Sequence, residues 1–245
     1  MKIHFITYGT DNYKETIDRL LQQARNFGCF DTINSYGPAD LPEDFKDSHS
    51  KILNIKKGGG YWIWRSMIFK KVIDSINDND IIIFLDAGCT INIHGKNRFF
   101  EYIDKINSSR CGILSFPVVN HNEKYWTIKE IFNHYHMQID DSEQLCGGII
   151  IVKKNNHGKQ FIDEFVKITI SNPELFTDNY NYTDQIEGFI ENRHDQSISS
   201  IIRKKIGTLI VNDNTDFYNK NIPFWASRIR HINNIKTKKK LYLYR

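Results

Sequence analysis

The chain opens on an apolar run within "IHFITYG" and passes into Ile17, Leu20, Leu21, Ala24 and Phe27, spaced as one face of a helix. This stretch predicts a buried strand, a turn, and a helix opened by Asp11 as an N-cap acid and closed by Gly28. "FDTINSYG" predicts a second strand. After an acidic loop, "KKGGGYWIWRSMIFKKVI" (Lys56 to Ile73) sets three glycines before two tryptophans and an arginine, then continues as a helix through Met67, Ile68, Val72, Ile73 and Ile76. Ile81 to Leu85 is an unbroken apolar run, the pattern of a strand covered on both faces, with Asp86 emerging at its carboxyl end. Further on come a helix around Phe99, Phe100, Ile103 and Ile106, a strand "CGILSFP", a helix over "TIKEIFNHYH" and a strand "LCGGIIIVKK". An amphipathic helix with Phe161, Ile162, Phe165, Val166 and Ile168 leads to a polar loop, a helix from "HDQSISSIIRK" and a strand "TLIVN". The alternation predicts an α/β fold with a mostly parallel central sheet flanked by helices. No repeat or composition break divides the chain, so 1–245 reads as a single domain with a basic tail at about 236–245.

Composition narrows the function classes. Hydrophobic residues at 40%, charged residues at 25% and 5 prolines are ordinary globular usage, so disorder and collagen-like repetition are set aside. A net charge of +4 is too small and dispersed for a nucleic-acid footprint, although it suits phosphorylated ligands. Cys29, Cys89, Cys111 and Cys146 lie far apart without a CxxC pair, which predicts neither a zinc ribbon nor a disulfide framework and fits a reducing compartment. The start, "MKIHFITYGT", has too short an apolar run for a signal peptide or membrane anchor, so a cytoplasmic protein is expected.

In open α/β sheets ligands bind outside the carboxyl ends of the strands, and the marked residues fall there: Thr7, Tyr8 and Gly9, then Asp86, Ala87 and Gly88, then Gly147 and Gly148. The dinucleotide fingerprint GxGxxG does not follow the first strand, and no P-loop occurs. "HFITYGT", "GGGYWIWRS", "IIIFLDAGCTIN", "QLCGGIIIVKK", "RHDQSISSII" and "PFWASRIRH" stand in the order found in small bacterial and viral sugar transferases of the GT-A type. The chain thus resembles a nucleotide-sugar glycosyltransferase over nearly its whole length. The resemblance implies a GT-A-like, Rossmann-like domain that takes a nucleotide-sugar donor. Asp86 would hold the position of the DxD segment, and the Gly-Gly strand and the "DQS" helix would form part of the sugar and acceptor site.

One position departs from that pattern. Gly88 stands where a second carboxylate is expected, and in the usual site that carboxylate binds a divalent cation on the donor's phosphates. A manganese or magnesium ion would then be held by Asp86 and the phosphates. The plainer alternative for Asp86 is an acid capping a turn.

The glycines before Tyr61 let the backbone run close to a ligand, and Arg65 at a helix start would present planar donors to a diphosphate. Of the aromatics, Trp62 or Trp64 is expected in the core and one of the others, Tyr61 included, in the donor pocket. Asp195 and Gln196 would orient a sugar hydroxyl or the acceptor, with an ordinary first-turn acid as the bland alternative for Asp195. Arg228, Arg230 and His231 would close over the diphosphate and stabilise the leaving group. The lysine-rich tail would offer peripheral contact with an inner membrane surface.

These readings converge on transfer of a hexose, from UDP by expectation, to a hydroxyl of a glycan or lipid-linked acceptor. Retention is favoured by the resemblance; inversion would need a carboxylate base, for which Asp195, Asp140 and Asp141 are candidates. A non-catalytic nucleotide-sugar binding module and a sugar nucleotidyltransferase are the alternatives.

Overall fold

A computed structural model describes residues 1–216 and 218–230. β1 (Ile3–Tyr8) passes through a 3₁₀ turn at Asp11–Tyr13 into α1 (Lys14–Phe27), and β2 (Thr32–Tyr36) follows. Asp11 begins that turn and does not cap α1, whose N-cap position, Tyr13, has no side-chain bond; Gly28 closes the helix in the left-handed conformation as expected. Short helices α2 (Glu43–Ser48), α3 (Ser50–Leu53) and α4 (Gly58–Tyr61) precede α5 (Trp64–Ser75) and β3 (Ile81–Leu85). Then come β4 (Thr90–Ile91), α6 (Lys96–Asn107), β5 (Ile113–Ser115), β6 (Pro117–Asn122), α7 (Glu123–Trp126) and α8 (Lys129–His134). β7 (Glu143–Leu145), β8 (Ile149–Lys153), α9 (Asn156–Ser171), α10 (Asp195–Ile206), β9 (Leu209–Ile210) and β10 (Phe224–Trp225) complete the order.

Six strands form the central sheet in the order β2-β1-β3-β8-β5-β9. All its pairings are parallel except those of β8, which runs opposite to both β3 and β5. Alternation along β3 divides the core: Ile82 and Phe84 face the layer of α5, α9 and α10, while Ile81, Ile83 and Leu85 face α1 and α6. Burial on both faces is why these strands read as continuous apolar runs. Among the described residues no helix is long and apolar enough to cross a membrane.

The glycine run does not simply enter a helix. From Gly58 to Trp62 every φ is positive, between 54° and 92°, and Tyr61 and Trp62 donate their N–H groups to the carbonyls of Lys57 and Gly58. This is one turn of left-handed helix, a conformation that disfavours an L-residue by roughly 1–2 kcal/mol and glycine hardly at all. Three glycines carry most of the turn. A Cβ on Gly60 would also lie 2.7 Å from Leu53 Cα. The turn reverses the chain so that Trp64 stacks on Tyr8, with ring centroids 3.6 Å apart, and donates Nε1–H to the Gly58 carbonyl at 2.9 Å. Trp64 is therefore core, and Trp62 is left half-buried.

Candidate functional site

A cleft of about 580 Å³ opens at the carboxyl end of β3, lined by the residues just beyond that strand, the start of α10, the glycines before β8 and Arg228. Because β8 is antiparallel, its amino end lies beside the carboxyl end of β3: Ile149 pairs with Leu85, and Asp86 N–H donates to the Gly148 carbonyl at 2.9 Å. Asp86 and the Gly147–Gly148 pair thus meet at one edge although sixty residues separate them. A Cβ on Gly148 would sit 2.7 Å from Asp86 Oδ2, and one on Gly147 would sit 2.9 Å from Gln196 Cβ. Neither position has room for a side chain.

Arg65 lies at the centre of the site and is 2% exposed. Its Nη2 donates to Asp86 Oδ1 at 2.7 Å, and its Nη1 donates to the Gly147 carbonyl at 3.0 Å and to Asp195 Oδ2. Phe84 and Trp64 rings flank the guanidinium at 4.9 and 5.4 Å. Burial opposes its charge, yet Asp195 and Asp86 hold its pKa above the ordinary value. Arg65 is therefore turned inward as the bridge between two carboxylates, a different placement from a free donor to a diphosphate.

Asp195 is the first residue of α10, next to His194, whose φ of 55° is unusual for a non-glycine residue. No side-chain cap is made there, and the Asp195 carboxyl points to Arg65. Burial pushes its pKa up to about 7; Arg65 opposes the shift, and Asp86, a second carboxylate on the same guanidinium, adds to it. Asp86 is the open member of the trio, its side chain 38% exposed. Gln196 accepts the Gly147 N–H at Oε1 (2.9 Å) and donates Nε2–H to Gln144 Oε1 (2.6 Å). His194, also facing the cleft, donates Nδ1–H to the Phe176 carbonyl at 2.8 Å, and burial pushes its pKa down to about 4.

Of the expected site residues, Arg65, Asp86, Gly147, Gly148, Asp195, Gln196 and Arg228 line the cleft. Thr7, Tyr8, Gly9, Tyr61, Ala87, Gly88 and Arg230 do not. Thr7 and Tyr8 are buried, with Tyr8 stacked on Trp64. Tyr61 packs against the His194 ring at 4.9 Å, and the aromatic that reaches the cleft is Trp62. Arg230 is exposed and offers its backbone carbonyl to Thr16. His231 and the tail at 236–245 lie outside the described residues. The acids Asp140 and Asp141 also miss the cleft: Asp140 binds Ser142 and Lys204, and Asp141 pairs with Lys124.

Gly88 has its own explanation. Its carbonyl accepts Ile229 N–H at 3.0 Å and the Ser227 hydroxyl at 3.1 Å, and a Cβ there would meet Ile229 N and O at 3.2 Å and Arg228 Cα at 3.4 Å. The chain after β10 packs tightly against Gly88, so any side chain there would require backbone of 228–229 to give by a few tenths of an ångström. Among the described residues no group of three or more His, Cys, Asp or Glu could hold a metal ion, and Asp86 Oδ1 already faces Arg65. These residues do not fit a divalent cation caged by protein alone.

The cleft also contains residues to which the sequence patterns gave no role. Lys57, Asn120, His121, Asn192, Arg193 and Asp216 reach it from loops and strand ends. The Arg193 guanidinium lies 4.2 Å over Trp126, while Arg228, 65% exposed at its side chain, pairs with Asp216 at 2.8 Å. Loop residues carry no hydrophobic period, so only their charge could have drawn attention.

No protein-family model matches the chain, and no curated protein matches it. Among solved structures, a glycosyltransferase involved in glycosylation of the major capsid of PBCV-1 is similar over 92% of this chain and 94% of its own, at 12% identity and a TM-score of 0.51. Mouse xyloside xylosyltransferase 1, in its apo form, is similar over 89% of this chain and 86% of its own, at 11% identity and a TM-score of 0.45. The first likeness shows a shared fold, the GT-A-like architecture that the sequence resembles.

Proposed function

We propose that the protein is a glycosyltransferase that moves a hexose from a nucleoside diphosphate, UDP by preference, to a hydroxyl of a glycan or lipid-linked acceptor, with retention of configuration. The observation that carries this reading is the Asp86–Arg65–Asp195 bridge with Gln196 beside it, at the floor of a cleft on the carboxyl edge of the sheet. Fold likeness alone would not carry it.

In this reading the sugar sits over Gln196 and Asp195, and the diphosphate meets the cations at the cleft, Lys57, Arg193 and Arg228. As the glycosidic bond breaks, its electron pair goes to the departing diphosphate, and fixed cations in a partly dry cleft stabilise that charge. Arg65 holds Asp86 and Asp195 in place and offsets their charge. Retention is supported by the placement of the three acids considered as bases for inversion: Asp140 and Asp141 lie away from the cleft, and Asp195 is bound to Arg65.

A second reading, nucleotide-sugar binding without turnover, is favoured by one observation, the glycine at 88 with the 228–229 backbone packed tightly against it. One experiment separates them: thermal denaturation with UDP, GDP and their hexoses, followed by hydrolysis and transfer assays on the best ligand. At a hundredfold excess over its dissociation constant a ligand stabilises by about 2.7 kcal/mol, a rise in Tm of roughly 5–10 °C at this size. Binding with turnover supports the transferase, binding without turnover supports the module, and no shift with any nucleotide removes both.

A further inference from the structure

We infer that Gln144 and Glu123 are positioning residues that lock the amide of Gln196 so that its carbonyl oxygen, not its NH₂, is presented at the Gly147 side of the cleft. The inference deepens the transferase reading and rests on it for its kinetic consequence.

The argument starts from a chain of hydrogen bonds buried behind the cleft wall. Glu123 begins α7, is 0% exposed, and pairs with Lys204 Nζ at 2.9 Å through Oε2, which also accepts from the Ser200 hydroxyl. Its Oε1 accepts from Thr127 Oγ1 at 2.6 Å and from Gln144 Nε2 at 2.9 Å. Gln144, also fully buried, accepts Gln196 Nε2–H at Oε1, and Gln196 Oε1 in turn accepts Gly147 N–H. The chain therefore runs Lys204, Glu123, Gln144, Gln196, Gly147, from near the surface to the cleft.

Which way an amide points must be deduced from its partners. Here both ends give the same answer. Glu123 Oε1 and the Trp126 carbonyl, 3.3 Å from Gln144 Nε2, sit at one end of the Gln144 amide and can accept hydrogen bonds from that NH₂. That end must therefore be NH₂, which turns the Gln144 oxygen to Gln196. At the far end the Gly147 N–H can only donate, so Gln196 must show it an oxygen. Flipping Gln196 would set two donors against each other at Gly147 and two acceptors against each other at Gln144. A carbonyl oxygen has two lone pairs, and Gly147 uses one of the pair on Gln196. Gln196 itself lines the cleft, so in the transferase reading the other lone pair would serve a group bound there. Arg65, which is buried, also binds the Gly147 carbonyl, so both polar ends of that residue are held by side chains.

The test uses the 245-residue chain and three variants: Gln144→Met, which fills the space but can neither accept nor donate; Gln144→Glu, which sets a second carboxylate against Glu123; and Glu123→Gln with Gln144→Glu, which exchanges the charge and restores a donor between positions 123 and 144 while position 144 still accepts from Gln196. Two readouts are independent of each other. The Gln196 side-chain amide resonance, assigned by its loss in Gln196→Leu, should be slow to exchange in the parent protein and averaged in Gln144→Met. With UDP-glucose or UDP-galactose as the probe, kcat should fall about a hundredfold in Gln144→Met with KM nearly unchanged, the scale expected of a misplacement near 1 Å. The exchanged pair should recover about tenfold over Gln144→Glu alone, since touching residues couple by that order. An unchanged amide resonance in Gln144→Met would overturn the inference. So would a loss of kcat matched by equal loss of fold and no recovery in the exchanged pair. If the parent protein turns over no nucleotide sugar, the transferase reading fails, while the amide resonance still decides the orientation of Gln196.

Discussion

Gly88→Asp would put a carboxylate where the DxD pattern expects one, and the surrounding chain determines the outcome. The new Cβ would lie 3.2 Å from the backbone N and O of Ile229 and 3.4 Å from Arg228 Cα, all main-chain atoms that no rotamer change can move. A carboxyl group beyond it must displace the 227–229 segment, which endangers the bonds from Ile229 N–H and the Ser227 hydroxyl to the Gly88 carbonyl. Overpacking costs about 1–3 kcal/mol, and each lost hydrogen bond about 1 kcal/mol more. The sum, about 3–5 kcal/mol, lowers Tm by roughly 6–20 °C in a chain of this length. Gly88→Ala, which adds only the Cβ, should lower it by roughly 2–4 °C, for about 1 kcal/mol. Differential scanning calorimetry measures both, and Mn²⁺ titration of the aspartate variant shows whether the added acid finds an ion. An aspartate variant as stable as the parent protein, binding Mn²⁺ tightly without nucleotide, would refute the account of Gly88.

The remaining predictions concern the charges at the cleft. The pKa of Asp195 stands at about 7 in the folded state against an ordinary 3.8, so the native state binds the extra proton: its stability contribution is full below about pH 4 and declines as pH rises through about 7. Asp195→Asn should flatten that decline in a urea-denaturation series, and an unchanged slope would show that Asp195 is not its source. Arg65→Ala leaves Asp195 buried without its cation, so it should destabilise the protein by about 3–5 kcal/mol. A normal Tm in that variant, with diphosphate affinity alone reduced, would return Arg65 to the ligand. Calorimetric titration of Mn²⁺ into nucleotide-free protein should give no tight binding, whereas a saturable high-affinity site would reveal a cage among residues not placed together here.

Much of this was legible in the chain because it depends on periodicity. The stripe from Ile17 to Phe27 became α1, the run from Ile81 to Leu85 became β3, and the residue just past that run, Asp86, emerged at the cleft. Asp195 and Gln196 drew attention because a helix start concentrates polar groups, and both line the cleft. The partner of Arg65 was not legible: Asp195 lies 130 positions away, and only the fold brings the two together. The five left-handed residues from Gly58 to Trp62 were missed for a related reason, since three glycines announce freedom but not the hand in which it is used. That Tyr8, at the end of the first strand, stacks under Trp64 was not legible either, because that contact depends on the turn at 58–62.

The reversed strand β8 has a consequence for how the molecule comes into being on the ribosome. β1, β2 and β3 can pair once residue 85 has emerged, but β5 has no neighbour in the sheet until β8 arrives. Until residues 149–153 are synthesised, β3 is an unpaired edge of five apolar residues, the kind of edge that invites association with other chains. When β8 slots between β3 and β5 it closes that edge, and the same event sets the Gly148 carbonyl on Asp86 N–H. In a nascent chain, covering that apolar edge and building the cleft wall are thus a single step.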